Sequence, residues 1–125
     1  MARGLGVVMQ AIQRHGNPNA PLPSGPPFFR FSDAAESVRT LEAAGFVSPQ
    51  VTTVPQTWWL DSPDQLFEFM LRSTVRTGAL LRAQTPAALD AIKADVRQGA
   101  LSCRRADGKI WVPMPAVLSS ATKGS

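Results

Sequence analysis

His15 is the only histidine in the sequence and the first side chain to consider as a general base. It follows Arg14 and precedes Gly16, a helix-stop signal, and there a protonated imidazole is favoured by the negative end of the helix dipole. A capping or surface role therefore explains His15 better than proton transfer. The carboxylates sit mainly where helices start, and Asp64 and Glu68 have the i,i+4 spacing of a solvated pair. Cys103 is the sole cysteine, which excludes an internal disulfide framework, fits a reducing compartment and reads as a helix-face residue rather than a nucleophile. The sequence has no Gly-x-Gly-x-x-Gly loop, no phosphate-binding loop, no Gly-x-Ser-x-Gly elbow and no cysteine or histidine pair for a metal. No catalytic residue can be named from these side chains. The set with functional shape is aromatic: Phe28, Phe29, Phe31, Trp58, Trp59, Phe67 and Phe69 could line a ligand cavity, although core packing is the stronger reading for most of them.

The elements that hold these residues are marked by caps and stops. Leu5, Val8, Met9 and Ile12 recur at helical spacing and end at Gly16. Residues 17–27 hold five prolines and almost no apolar side chain, so an irregular, stiff loop is expected. Asp33 with Glu36 three residues on predicts a capping box and a helix that closes at Ala43-Ala44-Gly45-Phe46, with Gly45 left-handed and Phe46 as its hydrophobic contact. Ala34, Val38 and Leu41 give this helix one apolar face to lay on a sheet. A strand follows, regular over Gln50 to Val54 because Pro49 and Pro55 cannot donate to a ladder, and Trp58-Trp59-Leu60 continues extended or turns outward.

Ser62-Pro63-Asp64-Gln65 starts the next helix, with Leu66, Phe67, Phe69, Met70 and Leu71 around much of its circumference. Thr77-Gly78 should break that pattern before a short helix over Ala79 to Ala83. Thr85-Pro86 opens a last helix with a Leu89, Ile92 and Val96 stripe. After the Asp107-Gly108 turn the chain alternates from Lys109 to Thr122, a long strand whose Pro113 and Pro115 restrict pairing.

The chain of 125 residues is one domain's length. Its charge of +4 and pI of about 10.2 are carried by dispersed arginines, which solvate the surface and do not make nucleic acid the expected partner. No stretch approaches the ~18 apolar residues of a membrane span, and no signal-peptide hydrophobic region is present, so a cytoplasmic location is expected.

Phe29-Arg30-Phe31-Ser32-Asp33, the Ala43-Ala44-Gly45-Phe46 helix end, the Val51-to-Val54 strand and the Gly108-to-Thr122 strand, in this order, resemble the C-terminal part of class I S-adenosylmethionine-dependent methyltransferases. The likeness covers nearly all of the chain after about Val7. It implies part of a Rossmann-like α/β fold, α+β as an isolated piece, with a few-stranded sheet, an antiparallel final strand and about four to five helices. The resulting expectation is a single partial domain over 1–125: a lid helix and proline-rich loop (5–31), a helix and strand (32–61), inserted helices (62–107), and a final strand with tail (108–125).

The resemblance further implies that Met9, Ile12 and His15 on the lid helix, the segment Phe28, Phe29, Arg30 and Phe31, and Phe67 and Met70 on the inserted helix face a small-molecule methyl acceptor. Trp58 and Trp59 join them from the aromatic set. In the family, S-adenosylmethionine is held by the earlier half, through a glycine-rich turn after the first strand and an acidic residue ending the second. Gly4 and Gly6 have no strand before them, so the expectation is that this chain alone binds no cofactor and is inactive alone. Much of the rate in such enzymes comes from placing the acceptor in line with the methyl group. The apolar sheet face left open implies a homodimer or a complex with the missing cofactor-binding half, with a small apolar or aromatic ligand and neither nucleic acid nor membrane as partner. The alternatives are a homodimeric small-molecule binding module and a regulatory partner of an intact methyltransferase.

Overall fold

The computed structural model describes residues 3–125, a mixed α/β arrangement of five α-helices and short antiparallel strands. Met1 and Ala2, the start of the Met1–Gly6 lead-in, lie outside the described residues. Helix α1 (Arg3–His15) buries Val8, Ala11 and Ile12 along one stripe and stops where the Gly16 N–H bonds to the Ile12 carbonyl. The proline-rich loop follows, and a single 3-10 turn (Arg30–Ser32) leads into helix α2 (Ala34–Ala43).

Asp33 caps α2 as its sequence demands, Oδ1 accepting from the Glu36 N–H at 3.1 Å. The reciprocal half of the expected capping box is absent. The Glu36 carboxylate turns outward to Arg30 and Arg39, two charged donors that outbid one backbone N–H, and the Asp33 N–H bonds to the Arg30 carbonyl instead. At the other end Gly45 takes φ +89°, a conformation only glycine enters without a Cβ penalty, and its N–H bonds to the Glu42 carbonyl.

Strands β1 (Phe46–Val54) and β2 (Thr57–Leu60) follow, then helices α3 (Gln65–Ser73), α4 (Arg76–Arg82) and α5 (Pro86–Leu101), and strands β3 (Ile110–Pro113) and β4 (Ala116–Lys123). β1 pairs with β4 and β2 with β3, both antiparallel. The register is the same on either side of the break, so the two ladders form one long ribbon in which Pro55 faces Pro115 and Gln56 faces Met114. The Met114 N–H bonds to the Gln56 carbonyl at 2.8 Å across the gap. Antiparallel pairs alternate between bonded and non-bonded positions. Counting from the bonded Gln56–Met114 pair, Pro55, Pro113 and Pro115 all fall at non-bonded positions. None of the three removes a ladder bond, and the expected restriction on pairing reduces to a short interruption. Nearer the ribbon's tip, Ser48 adopts φ 52° where β1 carries one residue more than β4, a bulge beside Pro49.

The core is built by α1, α3, α4, α5 and β3: Val8 and Ile12, Leu66, Phe67 and Met70, Leu80 and Leu81, Ile92 and Val96, Ile110 and Val112 are all buried together. Its closest approach is between α1 and α5, where Gly99 leaves room for Val7. By contrast α2, β1 and β4 add no hydrophobic residue to the core. Helix α2 lies on β1 as its apolar face required, yet its buried residue is Ser37, and Phe46, Val47, Val117 and Leu118 remain exposed along the ribbon.

The inserted helices divide earlier than their sequence implies. The break lies at Thr74, which is extended (φ −117°, ψ 146°), and Thr77-Gly78 falls inside α4. Glycine is used there for proximity rather than for a break: a Cβ on Gly78 would stand 2.8 Å from the Leu71 carbonyl oxygen. The start of α3 also differs. Its α-helical part begins at Gln65, whose Oε1 accepts from the Asp61 N–H at 2.7 Å while Ser62 makes no side-chain cap.

Candidate functional site

The residues singled out by sequence separate into several places. Ile12, Phe67 and Met70 are core residues with at most 3% of their surface exposed, and their side chains have no free face to offer a ligand. His15 ends α1 beside α5, with Nε2 3.1 Å from Asp95 Oδ2, and Arg14 bonds to the same oxygen at 3.1 Å. It borders a shallow depression with Asn17, Gln84 and Thr85, away from every aromatic of the set. Arg14 and His15 thus clamp α1 to α5 through Asp95, a long-range contact that the position before Gly16 does not reveal.

Phe28, Phe29 and Arg30 border a surface hollow with Glu36 and Arg39. Phe28 and Phe29 meet edge to face at 4.9 Å, and the Arg30 guanidinium lies 5.0 Å from the half-exposed Phe31 ring. Hydrogen bonds from Arg39 and then Arg30 hold the Glu36 carboxyl below the usual carboxylate range. The group is a charged and aromatic cluster at the entry to α2.

Met9 and Phe28 come together in a cavity of about 450 Å³ roofed by the proline-rich loop. Met9 of α1 and Thr77 and Leu80 of α4 form its floor, and Ala20, Leu22 and Pro27 its roof. The loop is tied down at two points. Gln84 accepts from the Asn17 N–H at 2.7 Å and donates to the Asn17 carbonyl at 2.9 Å, so its amide replaces a strand partner for that residue. Arg76 donates to the Pro23 carbonyl at 3.0 Å. Prolines stiffen the span between the tethers and lower the entropy lost when a ligand is covered. The arrangement can enclose a small, largely apolar molecule, with Asn19, Thr77 and Arg76 as polar contacts. Sequence reasoning missed Gln84 and Arg76, whose partners are backbone atoms far along the chain. Leu22, an isolated apolar residue among prolines, was the available signal that the loop is anchored.

Trp58 and Trp59 lie elsewhere, along a more open groove of about 870 Å³ between β2 and α3. Trp58 meets Phe69 edge to face at 4.4 Å, and Trp59 stacks on Trp111 at 4.0 Å. No cluster of three or more His, Cys, Asp or Glu side chains suited to a metal occurs among the described residues, and no helix among them is long and apolar enough to cross a membrane. No protein-family model matches the sequence, and no curated protein matches it.

Proposed function

We propose that these residues are the acceptor-binding lid and C-terminal sheet portion of a class I S-adenosylmethionine-dependent methyltransferase acting on a small apolar or aromatic molecule. The supporting observation is the tethered cavity beneath the proline-rich loop, next to an α2–β1 unit whose strand pairs antiparallel with the late strand β4. That order of lid, helix, strand, inserted helices and antiparallel last strand is what the sequence resemblance calls for. Within this reading Met9, Leu22, Phe28, Thr77 and Leu80 surround the acceptor, and their work is to position it and exclude water. S-adenosylmethionine supplies the methyl group and is held by a nucleotide-binding half outside these residues. Residues 1–125 alone are then inactive.

The ribbon also supports an association. Two strands leave both edges open, and Val47, Val117 and Leu118 are exposed beside them. In this reading a second copy or the nucleotide-binding half covers that face. A well-folded monomer in size-exclusion chromatography at high micromolar concentration would sink the homodimer. The alternative, a small-molecule binding module with no transferase role, draws on the same cavity.

Calorimetric titrations with indole and with S-adenosylmethionine test the function. The proposal expects heat from indole, abolished by Ala20→Trp, which fills the cavity from its roof, and none from S-adenosylmethionine. Tight S-adenosylmethionine binding would overturn the assignment of the cofactor to a separate half. Absence of indole binding would remove the acceptor site.

A further inference from the structure

The groove between β2 and α3 has a feature that a pocket for a compact molecule does not need: one of its walls is a strand edge with free main-chain groups. β2 is bonded to β3 on one side only. The Gln56–Met114 bond fixes which residues face β3, and alternation then places Trp58 and Leu60 at bonded positions and Thr57 and Trp59 at non-bonded ones. The other side of β3 agrees with this count, since Trp111 bonds outward to the Cys103 carbonyl and Arg105 to the Lys109 carbonyl. Thr57 and Trp59 therefore direct their N–H and C=O groups away from the ribbon, into the groove, and neither N–H has a partner within the described protein.

The facing wall is one side of α3. Gln65, Glu68, Phe69 and Arg72 recur at three- and four-residue spacing. Phe69 is 45% and Trp59 62% exposed, so apolar surface flanks the free strand edge. Trp59 is held from behind by Trp111, over which Arg105 lies at 3.5 Å. The charges are uneven. Glu68, the groove's own carboxylate, is neutralised by Arg72 at 3.2 Å and Lys93 at 3.6 Å, while Lys109 stands 5.8 Å from the Trp59 ring. Asp61, which follows β2 and accepts from Gln65, offsets a further cation, and the rim keeps one positive charge in excess.

We infer that this groove binds an extended, acidic polypeptide segment by strand addition to β2. The segment's main chain bonds to Thr57 and Trp59, an apolar side chain rests on the exposed surface of Phe69 beside Trp58, and carboxylates meet Arg72 and Lys109. A strand edge between a helix and aromatic side chains gives affinity through the backbone and selectivity through alternate side chains. The prolines sharpen the assignment. Pro113 and Pro115 remove outward donors from the opposite edge of the ribbon, and Pro55 removes the one just before Thr57, so the outward donors of β2 are set off from those of β1.

The test uses the full chain and a blocked peptide of alternating valine and threonine with an aspartate at each end, followed by fluorescence anisotropy. Two further peptides carry N-methyl groups on one or the other set of alternate amides. Strand addition predicts binding of the parent peptide, with one methylated peptide at least about tenfold weaker and the other unchanged. Thr57→Pro removes the groove-facing donor at a position where the β2–β3 ladder uses none, and should weaken the parent peptide by a similar factor while leaving indole binding intact. Arg72→Glu should weaken it further and reduce its salt dependence. Equal binding of the two methylated peptides, or no binding of the parent at about 1 mM, would overturn the inference whatever the variants do.

Discussion

Replacing Gly99 with alanine tests the closest packing in the fold, and two effects of opposite sign decide the outcome. In a helix interior alanine is favoured over glycine by about 0.8–1.0 kcal/mol, so the change should stabilise an unobstructed helix. On α5, however, the new methyl would run into Val7 Cγ1 of α1, with Cγ2 at 3.2 Å and Cβ at 3.4 Å. Val7 cannot swing clear, because a β-branched side chain in a helix has one strongly preferred rotamer and all three of its atoms crowd the same point. Overpacking costs about 1–3 kcal/mol. The two terms leave Gly99→Ala destabilising by roughly 0–2 kcal/mol. In a Val7→Ala background the obstruction is gone and the same substitution should stabilise. Urea denaturation of the four proteins in a double-mutant cycle gives the coupling, expected at about 1–3 kcal/mol. A stabilising Gly99→Ala in the native background, or no coupling to Val7, would refute the α1–α5 crossing described above.

Other perturbations separate the core from the ribbon. Ile12→Ala should cost about 2–5 kcal/mol in the same assay, because the side chain is fully buried, whereas Leu118→Ala should cost less than about 0.5 kcal/mol in the monomer. Asp33→Ala removes the α2 cap and should cost about 0.5–2 kcal/mol, read as faster amide exchange over the first turn of α2. Glu36 links stability to pH. Its folded-state pKa is depressed by Arg39 and Arg30, so its contribution is complete above the ordinary carboxylate pKa and is lost as the pH falls through the lowered one. Glu36→Gln should flatten that part of the acid limb in thermal melts across pH. Arg76→Ala frees the Pro23 carbonyl and should raise the indole dissociation constant by about tenfold, the equivalent of one charged hydrogen bond.

What the sequence made legible was local. The Asp33 cap, the Gly16 and Gly45 stops, the Thr85 cap of α5 and the Asp107-Gly108 turn each depend on residues within one turn of chain, and each is present. The prolines restrict pairing less than their number implies, because their cost depends on which partner position they occupy. That parity is set by the pairing of β1–β2 with β3–β4, far apart in sequence. Gly78 has the sequence signature of a breaker because nothing local reveals the Leu71 carbonyl that demands its small size.

The aromatic set divided for a reason that spacing does contain. Residues two apart on a helix point to opposite sides, so Phe67 goes with Met70 into the core and Phe69 goes with Gln65 and Arg72 to the groove. The tethers of the loop had no such signal, since Gln84 and Arg76 act on backbone atoms of residues 67 and 53 positions away. Composition likewise could not show that the apolar residues of β1 and β4 stay outside the core. The mixed α/β character was legible, and the methyltransferase proposal rests on the order of the elements.

The most direct measurement of the central claim is a heteronuclear NMR titration of the labelled chain with indole. Binding beneath the proline-rich loop predicts shifts at Met9, Ala20, Leu22, Phe28, Thr77 and Leu80 that saturate together, with Trp59 and His15 unmoved. Shifts confined to Trp58, Trp59 and Phe69, or none at all, would contradict it.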